Sequence, residues 1–217
     1  MKKIVAFVFI ILIVFTSFSQ GTRPSFGIGG KGGVNISYFA DNFSVGQSAI
    51  GANVGAVGIM NFGANGTTSF VAEILFSQKG GANRASGKNE ISAIDIPILF
   101  RFSKSIKEEI PLKLFFNAGP YIGVNFSRKV TGELPLNYAK DFSTNFLELG
   151  LCAGVGVSYP IGPGALFLEG RYAFSITNVV PKSLENNRIT SITLGYVYYL
   201  QGQTEEQKDK KIDSGFE

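Results

Sequence analysis

Histidine and tryptophan are absent from the 217 residues, cysteine occurs once, and charged residues make up only 17%, against the ~25% usual for soluble domains. Each shortage excludes something. Without histidine there is no Ser-His dyad, Ser-His-Asp triad or Asp-His pair, because each needs a base that titrates near neutral pH. With Cys152 alone there is no intramolecular disulfide, no CxxC and no thiolate metal cluster. The formal charge of +4 includes Lys2 and Lys3. Without those two, 18 cations face 16 anions, and no basic block stands outside the C-terminal tail. Nucleic acid is therefore not an expected partner.

One apolar run exists, Ile4 to Phe15, 12 residues long, where a spanning helix needs ~20. Lys2 and Lys3 precede it and Ser17-Phe18-Ser19 follow. Charged region, apolar region and small-x-small site together predict a signal peptide over residues 1–19, cleaved after Ser19 to leave Gln20 first. An uncleaved inner-membrane anchor is the alternative. No cysteine follows the apolar run, so no lipoprotein is expected.

Glycine (27) and phenylalanine (20) are abundant instead, which suits a β protein. From Phe26 onward the dominant period is two. Ile94, Ile96, Ile98, Phe100 and Phe102 alternate with Asp95, Leu99 and Arg101. Phe70, Ala72, Ile74 and Phe76 alternate with Ser69, Glu73, Ser77 and Lys79. Leu166, Leu168, Tyr172 and Phe174 alternate with Glu169, Arg171 and Ser175. Leu147, Leu149, Leu151, Val155, Val157 and Tyr159 oppose Glu148 and small residues, among them Cys152. Eight such runs cover about 26–39, 50–62, 68–79, 91–103, 112–126, 145–159, 165–177 and 189–200. Connections alternate between long (40–49, 80–90, 127–144, 177–188) and mostly short. The pattern predicts an all-β, eight-stranded antiparallel up-and-down barrel over residues 20–200. Residues 201–217, "QGQTEEQKDKKIDSGFE", are polar and aperiodic and predict a disordered tail. Pro97 and Pro120 fall inside strands of a sheet without edges, so bulges or missing ladder bonds are expected there.

Period two does not say which face points outward. Three observations favour a transmembrane barrel over a soluble one. The runs are 12–15 residues long, enough for a tilted membrane strand with overhang. Aromatics on the apolar face sort by depth: Phe62, Phe70, Phe102, Phe116, Tyr159 and Tyr198 toward the short turns, Tyr38, Phe76, Phe126 and Phe174 toward the long loops. Two such bands are the girdles of a membrane barrel. The polar face balances Lys31, Lys79, Arg101, Lys113 and Arg171 against Glu73, Asp95, Glu148 and Glu169, a mixture that suits a paired interior. These nine residues are the candidate lumen charge network. The four carboxylates could instead supply an acid–base pair, but a structural network is favoured. Cys152 reads as a packed side chain rather than a reactive thiol. Asp41 and Asp141 lie in loops without the pattern of an ordered calcium loop. No catalytic residue, metal or cofactor site is expected.

Gly27-Ile28-Gly29-Gly30-Lys31-Gly32 is a literal G-x-G-x-x-G. A dinucleotide loop needs a strand before it and a helix after it. Here the leader precedes and the alternating "VNISYF" follows. The glycines read as the first strand: room for bulky lumen neighbours, with Lys31 as a cation for Glu73 or Glu169.

Seven segments in order resemble those of the small outer-membrane β-barrels of the PorT type, a porin-like family of Gram-negative bacteria with type IX secretion. They are "KGGVNIS", "AEILFSQKG", "IDIPILFRF", "NAGPYIGV", "GLCAGVGVSY", "LEGRYAFSITNV" and "ITLGYVYYL", and the likeness spans about residues 24–200. The resemblance implies an eight-stranded barrel in the outer membrane of the cell envelope, and for most members no defined biochemical activity. The chain departs from many outer-membrane barrels by continuing for 17 residues past Leu200, so any assembly signal would lie near Tyr196–Leu200. Three roles follow as expectations: a non-enzymatic barrel with a filled lumen acting through its loops, a PorT-like part of protein secretion, and a narrow porin-like channel. The expected partners are outer-membrane lipid and proteins met through loops or tail.

Overall fold

The computed structural model describes residues 25–41, 44–45, 47–62, 67–83, 87–106, 110–131, 146–177 and 186–200. The leader and the tail lie outside these residues. Among them are the strands β1 (Ser25–Asp41), β2 (Ser44–Val45), β3 (Gln47–Phe62), β4 (Thr68–Asn83), β5 (Gly87–Ser105), β6 (Lys113–Thr131), β7 (Leu147–Ile161), β8 (Gly164–Ser175) and β9 (Asn186–Tyr199). β2 is a two-residue extension that folds back on the end of β1, pairing Ala40↔Val45 and Asp41↔Ser44. The other eight strands form one antiparallel sheet in chain order, and β1 pairs with β9 from Gly27↔Tyr199 to Ala40↔Asn186. The sheet therefore closes into an eight-stranded barrel without a free edge.

Alternation builds the wall. On β5, Asp95, Pro97, Leu99 and Arg101 are buried while Ile94, Ile96, Ile98 and Phe102 are exposed. On β7 the faces alternate without a break from Leu147 to Val155. The exposed set is almost wholly apolar and the buried set carries the charges, the inverse of a water-soluble barrel. The β7–β8 connection is the two-residue turn Gly162-Pro163. Gly162 has φ 59°, and Pro163 fixes a negative φ after it, the sign pattern of a type II′ hairpin.

Several strands run further than hydrophobic alternation predicts. The expected loop 80–90 is mostly ladder: β4 and β5 stay paired out to Asn83↔Gly87. β6 continues to Thr131 rather than ending near 126. Backbone pairing persists there without an apolar face, because these ends carry little periodic signal. The expected loops 127–144 and 177–188 lie largely outside the described residues.

Pro97 and Pro120 open the ladder without shifting it. β4–β5 runs to Ala72↔Ile98 and resumes at Leu75↔Asp95. β5–β6 runs to Pro97↔Tyr121 and resumes at Phe100↔Ala118. The sheet loses pairing where a proline has no N–H to donate, with the same register on either side. The register shifts lie elsewhere, between Ser48/Asn53 and Ser92/Ala93.

The glycines of β1 have a sharper role than providing space. A Cβ on Gly27 would meet the Val197, Ile59 and Tyr199 side chains, whereas one on Gly29 or Gly33 would collide with the backbone of β9, at Tyr196 O and Ile192 O. Strand β9 passes too close for any side chain. Gly33→Ala should therefore destabilise the barrel by about 1–3 kcal/mol, as overpacking does. Gly170→Ala, whose Cβ would meet nothing within 4 Å, should change stability by less than about 0.5 kcal/mol. Urea titration of both refolded variants checks the contrast.

Candidate functional site

The inward side chains form layers along the barrel axis. Toward the short turns lies an apolar layer of Val57, Ile59, Val71, Leu99, Phe115, Phe167 and Val197, continuing to Tyr121 and Cys152. Above it sits a buried ion cluster. Arg171 grips Glu73 with two parallel bonds, Nη1 to Oε2 at 2.6 Å and Nη2 to Oε1 at 2.8 Å. Its Nε donates to Glu169 Oε1 at 2.6 Å. Lys31 Nζ lies 2.9 Å from Glu73 Oε2 and 3.5 Å from Glu169 Oε2. Two cations and two carboxylates thus share one buried layer, each carboxylate touching both cations.

A second cluster lies nearer the loop end. Lys79 Nζ is 2.7 Å from Asp95 Oδ1 and 3.2 Å from Glu148 Oε2. Tyr121 donates its hydroxyl to Glu148 Oε1 at 2.6 Å. Between the clusters is a cavity of about 40 Å³, bordered by Lys31, Asp95 and Arg171, by Asn35, Asn53, Ser77 and Thr193, and by apolar side chains such as Leu75 and Ile189. Asn35 holds its wall by donating to Ser77 Oγ at 2.9 Å and accepting from Asn53 Nδ2 at 2.6 Å.

Eight of the nine charged residues singled out by parity sit inside the barrel. Lys113 does not join them: it shares the inward parity of Phe115 and Asn117 but is the first residue of β6 and is exposed at the barrel's end. Arg101 is inside but apart from the quartet. Its guanidinium lies over the Phe115 ring at 4.1 Å and reaches Glu169 only at 4.0 Å. Every one of the four carboxylates is engaged with a cation.

Tyr121 was not anticipated. Its signal is present in the sequence: on β6 it shares inward parity with Phe115 and Asn117, an aromatic hydroxyl on a polar face.

Phe102, Phe116, Tyr159 and Tyr198 are exposed toward the short-turn end, and Phe76, Phe126 and Phe174 toward the loop end. Phe62 and Phe70 stack with Phe100 and Phe102 into a patch whose ring centroids are 4.8–5.8 Å apart. The side chain of Tyr38 lies outside the described residues.

Residues 18–180 match the family model described as "Outer membrane protein beta-barrel domain". Among solved structures, neisserial surface protein A is similar at 15% identity and a TM-score of 0.51, covering 82% of this chain and 99% of that one. OprG from Pseudomonas aeruginosa (11% identity, TM-score 0.47, 84% of this chain and 99% of that one) and Ail of Yersinia pestis (13%, 0.43, 79% and 98%) are similar too. At such identities the likeness concerns the fold alone. No curated protein matches the chain.

Proposed function

The chain belongs to the family of outer membrane protein β-barrel domains, and from that premise we propose that it is a non-enzymatic integral barrel with a side-chain-filled lumen, acting through its loop end in envelope structure or in binding a partner. The filled bore carries this reading. An eight-stranded interior is just wide enough for side chains to occupy, and here two ion clusters and an apolar layer stand in series along it. The four lumen carboxylates are all engaged by Lys31, Lys79 and Arg171, so none of these four stands as a free base. Recognition then falls to the connections at the loop end, most of whose residues (132–145 and 178–185) lie outside the described residues.

Planar-bilayer recording of the refolded protein should give no steady open current. A reproducible conductance would replace this reading with the narrow-channel one. Exchanging residues 132–145 for a short turn should leave heat-modifiable migration intact and reproduce the phenotype of a deletion strain.

A PorT-like part in protein secretion is the second reading. It is supported by the ordered resemblance of the seven segments, and by Leu200 leaving the barrel at the short-turn end, where its N–H bonds to Phe26 O and the polar tail follows. A deletion strain that secretes normally counts against it.

A further inference from the structure

The barrel wall closes, but at the loop end the sheet rises above it on one side only. Strand β6 pairs with β7 as far as Val124↔Leu147, and Asn125 still donates its N–H to Phe146 O at 2.9 Å. Beyond that point β6 continues to Thr131 with β5 on one flank, from Ser92↔Ser127 to Lys88↔Thr131. Among the described residues no strand lies on its other flank. Strand β5 is itself backed by β4 out to Asn83↔Gly87, and β4 by β3 at Gln47↔Ala82. Residues 127–131 are thus the last strand of a four-stranded extension. In an antiparallel ladder alternate residues turn their N–H and C=O toward opposite flanks. Part of this backbone therefore points where β7 no longer runs.

This edge belongs to the aqueous side of the interface. Phe126 and Phe76 pack together in the loop-end aromatic band, their ring centroids 6.1 Å apart, and 127–131 follow on the side away from the apolar belt. Their ladder neighbours include Lys88, Asn89 and Glu90 rather than the isoleucines of the lipid face. The five residues approach the length of an ordinary strand, about 5–6 residues.

The sequence of the edge selects among occupants. Ser127-Arg128-Lys129-Val130-Thr131 carries two cations and no anion. On the adjoining stretch of β5, Lys88 and Glu90 cancel. Antiparallel pairing with a second copy would set Lys129 against itself or against Arg128, and like charges directly opposite destabilise a sheet. A strand that carries carboxylates reverses that sign. In such an addition main-chain bonds give affinity, and side chains and charge give choice.

We propose that residues 127–131 of β6 are a docking edge for an extended, acidic segment of a partner protein, which adds to the sheet as a further strand above the membrane. This rests on the reading of the loop end as the binding end, and it names how that end binds.

The test uses the full barrel in lipid nanodiscs, with hydrogen–deuterium exchange resolved by residue. The probe is a short peptide of alternating threonine and glutamate. At saturation it should slow exchange of the edge-facing amides within 127–131 by about tenfold. A threonine–lysine peptide should not. Nor should the acidic peptide with alternate amides N-methylated, which keeps its charge but loses main-chain donors. Arg128→Glu with Lys129→Glu should pass the protection to the lysine peptide. Both positions lie beyond the closed wall, and heat-modifiable migration checks that the barrel still forms. If the N-methylated peptide protects as well as its parent, the contact is charge alone and the proposal falls. Slow exchange of every amide in 127–131 without any peptide also overturns it, because residues 132–145 or a second copy then occupy the edge. So does an edge that no peptide protects. That last result leaves the loop-end reading to the bilayer recording and the deletion strain.

Discussion

Replacing Glu73 by alanine should cost the barrel about 3–5 kcal/mol, the usual result of removing one partner from a buried ion pair. Glu73 is buried, and its two oxygens receive both terminal nitrogens of Arg171 and the ammonium of Lys31. Truncation leaves three donors facing one remaining carboxylate, Glu169, in a buried layer. The Coulomb energy lost is part of the cost. The larger part is two cations kept out of water without their counter-charge. A paired substitution separates these contributions. Glu73→Leu with Arg171→Met removes one charge of each sign and restores apolar volume, and Lys31 with Glu169 remains balanced. Such replacements are often neutral or stabilising, so the double variant should be markedly more stable than Glu73→Ala. Urea unfolding in lipid vesicles, followed by the heat-modifiable band, measures both. If Glu73→Ala cost less than about 1 kcal/mol, the value for an exposed pair, the layer would be wet and the lumen not closed.

Placing an arginine at Ile74 should cost about 2–4 kcal/mol in a bilayer, because the residue would sit at midplane depth on the lipid face. Ile74 is 58% exposed on β4, between Phe70 toward the short turns and Phe76 toward the loops. In a barrel surrounded by water, the same change at so exposed a site would stay within about 0.5 kcal/mol. Leu114→Arg supplies the depth control. Leu114 is also exposed but lies at the start of β6, near the interface, where the cost should fall to about 0–1 kcal/mol. A large penalty at Ile74 with a small one at Leu114 requires an apolar medium of limited thickness.

The strand faces were legible because a pleated wall with two different solvents writes its environment into residue parity. Glu73, Asp95, Arg101, Glu148, Glu169 and Arg171 each alternate with Ile, Leu or Phe, and a one-residue slip would put every charge in lipid. Strand ends were harder to read. Gly80-Gly81-Ala82-Asn83 remains in the ladder beyond the apolar pattern. Lys113 shows the limit of parity, which gives a direction but not a depth: Phe115, two residues further in on the same face, is enclosed. Tyr121 and the cavity depend on how strand tilt stacks side chains from all eight barrel strands at one height. Contacts such as Lys31 with Glu169, 138 residues apart, exist only once β1 closes on β9. The glycines of β1 look like a phosphate loop because both structures need backbone uncovered by side chains. In this barrel what approaches Gly29 and Gly33 is the neighbouring strand.

The central claim is that the apolar face meets lipid and the charged face is enclosed. Spin labels at Phe70, Ala72, Ile74, Phe76, Ile94, Ile96, Ile98 and Phe102, introduced one at a time in a Cys152→Ala background, test it in reconstituted vesicles. Collision with oxygen, which concentrates in the bilayer, should dominate over collision with a water-soluble nickel chelate at all these outward positions, with the greatest ratio near Ile74 and Ile98 and a decline toward both ends of each strand. Ready access of the nickel chelate to Ile74 and Ile98 would place the apolar face in water and contradict the membrane barrel.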